Sequence, residues 1–159
     1  MLKRSILEIT VFICGALVMI FEIIGSRLLA PFIGTSTYVW TSLIGVILGA
    51  LSLGYWLGGK SADRRPDIKI LASAIFIAGA LVSLTILLQE IILSVIAESG
   101  LILEIKSLVA ALILFAPASV LLGFVTPYAV KLKMSALENA GKTVGRLYAL
   151  STVGSIVGT

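Results

Sequence analysis

Long apolar runs alternate along the chain with short polar or basic stretches. A helix that crosses a bilayer needs about 20 predominantly apolar residues. Five segments approach that length: residues 7–29, 39–58, 68–92, 107–126 and 143–159. The last reaches only about 26 Å at 1.5 Å per residue, against a hydrocarbon core about 30 Å thick. The pattern therefore predicts an all-α, polytopic helical membrane protein with four full spans and a fifth cut short. Residues 1–159 would form a single transmembrane domain, expected to be the N-terminal part of a longer protein. Pro31 is expected to end the first helix, with Gly34 to Thr37 as a polar turn. Ser94 to Glu104 reads as a short helix lying on the outer surface. Tyr128 to Ala140 reads as a continuation of the fourth span, with Gly141 as its C-cap and Thr143 opening the next helix.

Composition strengthens the membrane reading. The chain is 59% hydrophobic and only 13% charged, where a soluble domain carries about 45–50% and about 25%. The expected surroundings are a lipid bilayer. The net charge of +4 reports topology before it reports nucleic acid, and no nucleic-acid partner is expected. Lys3 and Arg4 precede the first run. Lys60, Arg64, Arg65 and Lys69 lie between the second and third, and Lys131, Lys133, Lys142 and Arg146 between the fourth and fifth. The other two connections hold only Lys106. Basic residues favour the cytoplasmic side, so the N-terminus should be cytoplasmic and the protein a multi-pass component of the cytoplasmic (inner) membrane. The absence of histidine removes Ser-His-Asp triads and His-containing zinc sites. No catalytic residue, metal site or cofactor is expected within these residues, and the lone Cys14 can form no intrachain disulfide.

Candidate chemistry concentrates in the first run. Glu22 lies about 15 Å from the outer end by helical rise, near mid-bilayer. An ionised side chain there costs about 2.5–3.5 kcal/mol on insertion scales, so such residues are functional candidates. Arg27 is shallower and can snorkel outward. The two are five positions apart, about 140° around the helix, and do not form the usual local pair. Glu22, Arg27 and Trp40 are the candidate solute or cavity residues, although Trp40 and Tyr38 also stand where an outer aromatic belt belongs. Gly45, Gly49, Gly54 and Gly58 in the second run permit close helix packing. Ser42 to Gly49 matches Ser151 to Gly158 as S-x-[IV]-G-x-I-[LV]-G, a candidate inverted repeat. Pro117 and Pro127 flank Gly123 and predict kinks in the fourth span.

Gly59 to Arg65 has the form G-x-x-x-D-R. It resembles the loop between the second and third helices of major facilitator transporters, which implies a half bundle of that kind. It also implies a cytoplasmic latch formed by Asp63, Arg64 and Arg65. The G-R-[RK] ending of that motif is replaced here by Pro66-Asp67. The run Phe21-Glu22-Ile-Ile-Gly25-Ser26-Arg27-Leu-Leu-Ala30-Pro31-Phe-Ile-Gly34, together with Gly145-Arg146-Leu-Tyr148 and Ser151-Thr-Val-Gly154-Ser-Ile-Val-Gly158, resembles the membrane region of spermidine-synthase-like integral membrane proteins. That resemblance implies a transporter-like helical region often fused to a cytoplasmic polyamine aminopropyltransferase domain. No glycine-rich nucleotide-binding pattern occurs in these residues, so aminopropyl transfer cannot be assigned to them. The implied function is handling of a small cationic solute such as a polyamine, with a synthase domain and a homo-oligomer as expected partners. The alternative is a membrane anchor or oligomerisation module for such an enzyme.

Overall fold

The computed structural model describes residues 2–134 and 140–159, with side chains from Ser5 onward. They form six helices: α1 (Leu2–Ile33), α2 (Thr37–Arg64), α3 (Ile68–Glu98), α4 (Leu103–Leu114), α5 (Ala116–Lys133) and α6 (Ala140–Val157). Among the described residues there is no strand. α1, α2 and α3 are each long and apolar enough to cross a membrane, and α4 with α5 makes a fourth such span if the bent pair counts as one. α6 is not among them; Lys142 and Arg146 fall in its first turns. Large apolar side chains such as Phe76, Leu87 and Ile91 of α3 and Ile9 and Ile13 of α1 point outward. In water such a surface would aggregate, and in a bilayer it meets lipid.

The helices outrun the expected boundaries where local chemistry permits. Pro31 does not end α1. It sits in the last turn, and the helix runs two residues further, to Ile33, before Gly34, whose φ of 93° only glycine adopts readily. Ser94 to Glu98 belongs to α3, and α4 begins at Leu103, so no separate surface helix fills Ser94 to Glu104. Lys106 reaches back to the carbonyl of Ala97 at 2.6 Å and closes that connection. Gly141 and Thr143 lie inside α6 rather than at caps. α5 ends at Lys133, and residues 135–139 of the expected continuation lie outside the described residues. The N-cap of α3 is Asp67, whose carboxylate accepts from the Lys69 N–H at 2.9 Å; Asp63 is still within α2.

The predicted kink is a true break. α4 and α5 meet at 53° around Phe115. Pro117, in the first turn of α5, has no N–H for the preceding turn. Thr85 of α3 donates to the carbonyl of Leu114 at 2.8 Å, satisfying an acceptor left at the break. The Phe115 ring is fully buried at the bend and lies 5.0 Å from that of Phe21. It also fills the place a side chain on Gly25 would take. Pro127, by contrast, sits inside a continuous α5.

Two helix pairs form the closest seams. On α2, a β-carbon at Gly54 would overlap the carbonyl oxygen of Val120, and one at Gly58 that of Phe124; Gly123 of α5 fits in the same way against Leu51. On α6, Gly154 meets the carbonyl of Phe12 and Gly158 that of Ala16, while Gly15 of α1 meets Ser151. The second seam reproduces the first, with α2 positions shifted by 100 to α6 (54/154, 58/158, 51/151). The α1 positions shift by 108 to α5 (12/120, 15/123, 16/124). The match of Ser42–Gly49 with Ser151–Gly158 is therefore not the register the packing uses. Gly45 and Gly49 face outward with nothing against them.

Candidate functional site

The seams bring α1, α2, α5 and α6 together around a cavity of about 180 Å3. Helical spacing puts Gly15, Val18, Met19 and Glu22 of α1 on one wall. α2 adds Leu51 and Tyr55, α5 adds Thr126, and α6 adds Ser151 and Ser155. The close approach at Gly15 lets Ser155 share its hydroxyl hydrogen between the carbonyls of Gly15 and Ser151, each at 3.1 Å. Glu22 is half-buried at this wall. Among the described residues its carboxyl has no hydrogen-bond or ion-pair partner, and the Thr126 hydroxyl has none either, although Thr126 is only 4% exposed.

Of the candidate solute residues, the structure places only Glu22 in this cavity. Arg27 is exposed on another face of α1, and Trp40 is exposed near the start of α2. The 140° separation read from the sequence is the reason: helical geometry sends Arg27 outward once Glu22 faces inward.

The candidate latch residues also diverge. Asp63 pairs with Lys131 of α5 at 2.6 Å, while the side chains of Arg64 and Arg65 are exposed without an ion pair among the described residues. The backbone of that loop is held more firmly than its charges. The buried Tyr128 hydroxyl donates to the Arg65 carbonyl at 2.5 Å and accepts from the Asp67 N–H at 3.0 Å. Lys60 stacks over Trp56, 4.7 Å from the ring centroid.

Sequence reasoning missed Glu8. It pairs with Lys133 of α5 and, at 2.9 Å, with Arg146 of α6, clasping three of the four cavity helices at one end. The signal was present, because Glu8, Gly15 and Glu22 recur every seven residues along one face of α1. Tyr55, Thr126 and the two serines were also missed; as isolated polar residues in apolar runs they give no spacing signal. Among the described residues no cluster of three or more His, Cys, Asp or Glu side chains could hold a metal ion. Compared with protein-family models, curated proteins and solved structures, the chain matches none.

Proposed function

We propose that this chain is a transporter-like membrane domain that handles a small cationic solute at Glu22. In this reading it is a major-facilitator-like half bundle in the inner membrane, with its N-terminus cytoplasmic. The observation that carries the proposal is the unpartnered carboxyl of Glu22 facing a cavity between four helices. A carboxylate within an apolar helix is costly unless it meets a cation, a proton or a hydrogen-bond donor. A purely structural glutamate would be expected to have one on a neighbouring helix. The sequence resemblance directs the choice of solute to polyamines, handled in concert with a spermidine-synthase-like cytoplasmic domain.

The test is uptake of labelled spermidine into proteoliposomes. Glu22→Gln keeps the side chain's size and removes its charge, and should abolish uptake. Uptake that is unchanged in the variant, or absent in the wild type, overturns the proposal and leaves the membrane-anchor reading.

A further inference from the structure

The repeated seam allows a comparison that neither half of the molecule offers alone. Where the two halves need close packing they agree: Gly15 and Gly123, Gly54 and Gly154, and Gly58 and Gly158 occupy equivalent places. Around the cavity the same registers put unlike residues at equivalent places. Thr126 stands where the first half has Val18, and Ser151 where it has Leu51. Ser155 stands where it has Tyr55. Glu22 stands opposite Val130 in the register. Packing alone is met by valine and leucine at the partner positions, so it does not explain the hydroxyls.

Thr126 is the most telling of these. A threonine in an apolar helix ordinarily returns its hydroxyl to the carbonyl four residues back. Thr10, Thr41, Thr85 and Thr152 all do so, at 2.8–3.0 Å. Thr126 is as buried as a core residue, lines the cavity, and makes no hydrogen bond among the described residues. Its hydroxyl opens onto the cavity rather than being sealed in the core, so whatever occupies the cavity meets it. A hydroxyl facing a cavity beside a carboxyl is an acceptor for a donor that enters the cavity.

We infer that Thr126 is a ligand-contacting residue, and that the ligand group is a primary ammonium bound between the halves. Glu22 and Tyr55 contact it from the first half, and Thr126 and Ser151 from the second. This rests on the Glu22 reading and goes beyond it by naming the headgroup. A primary ammonium offers three N–H donors to converging oxygens, whereas a quaternary ammonium offers none and favours an aromatic cage. Among the described residues, Tyr55 is the one aromatic lining the cavity. At about 180 Å3 the cavity is below the size of pockets that enclose drug-sized ligands. It suits a headgroup and a short alkyl stem.

The experiment is calorimetric titration of the purified full chain in detergent with n-propylammonium and with its N-trimethyl analogue. The wild type should bind the primary amine at least tenfold more tightly, the scale of a hydrogen bond to a charged group. Thr126→Val installs the residue found at position 18 and should weaken propylammonium about tenfold, with little effect on the trimethyl probe. Thr126→Ser should retain wild-type binding. Thr126→Ala enlarges the cavity, so a purely steric preference would leave propylammonium unaffected and improve the trimethyl probe. That result, equal binding of both probes by the wild type, or unchanged propylammonium binding by Thr126→Val overturns the inference. If Thr126→Val does not fold, the wild-type discrimination and the Thr126→Ala pair decide. Failure is separable from failure of the Glu22 reading: propylammonium binding that is lost in Glu22→Gln but unmoved at Thr126 keeps that reading and sinks this one.

Discussion

Replacing Gly54 by alanine puts a methyl group into the carbonyl oxygen of Val120, and the same change at Gly154 puts one into that of Phe12. Neither oxygen is on a flexible side chain, so the helices must part, by about 1 Å to restore ordinary van der Waals separation. A gap of that size forfeits a quarter to a half of each contact's attraction, about 0.1–0.2 kcal/mol per atom pair at full depth. Over some tens of pairs along a seam the loss comes to about 2 kcal/mol, within the usual range of about 1–3 kcal/mol for overpacking. Gly49→Ala, one to two turns away on the same helix, meets open space and should lie within about 0.5 kcal/mol of wild type. Reversible unfolding in mixed detergent micelles, followed by far-ultraviolet circular dichroism, measures all three. The reasoning also requires Gly54→Ala and Gly154→Ala to cost about the same, because the seams are equivalent. It is refuted if Gly54→Ala behaves like Gly49→Ala, or if the two seam variants differ by more than a factor of three.

Tyr128→Phe strips the buried hydroxyl from the Arg65 carbonyl and the Asp67 N–H; it should cost about 1–3 kcal/mol. It should also speed hydrogen exchange at the Asp67 amide, and unaltered exchange there would show that the hydroxyl does not hold the turn. Thr85→Val removes the donor to the Leu114 carbonyl at the break and should destabilise by about 1 kcal/mol, measurable in the same unfolding assay; a stabilised variant would contradict the role given to it. Glu8→Gln loosens the clasp with Lys133 and Arg146. With Arg146 largely exposed the loss should be about 1 kcal/mol, and the wild type should lose more stability than the variant on going from low to high salt. Parallel salt curves for the two proteins would mean the ion pairs contribute nothing.

Much of the fold was legible because lipid imposes a coarse demand. A backbone in hydrocarbon must satisfy its hydrogen bonds within a helix, so runs of apolar residues announce helices whatever packs against them. Their ends were less legible. Pro31 and the stretch Ser94 to Glu98 were read as helix ends or separate elements, yet the observed helices run through them. A proline in the last turn forfeits few bonds, and an exposed apolar stretch continues helical when nothing caps it. The break at Phe115 was anticipated from Pro117, but its support by Thr85 and by the space at Gly25 was not, since each partner comes from a different helix.

The candidate site divides in the same way. That Glu22 and Arg27 face different directions follows from their spacing alone. Which of them points into the bundle does not, because a helix that is apolar all round carries no marker of its inner face. The four glycines of α2 likewise announced close packing. Only the assembled helices distinguish Gly54 and Gly58, pressed against α5, from Gly45 and Gly49, which face outward. The sequence by itself determined that this is a helical membrane protein and that a carboxylate, Glu22, interrupts its first apolar helix. Tertiary structure decided that Glu22 shares a cavity with Tyr55, Thr126, Ser151 and Ser155. Those residues meet only after α1 has packed on α6 and α2 on α5. Contacts between residues separated by tens of positions depend on backbone carbonyls meeting glycines across two helices, and no local pattern in either helix encodes the other.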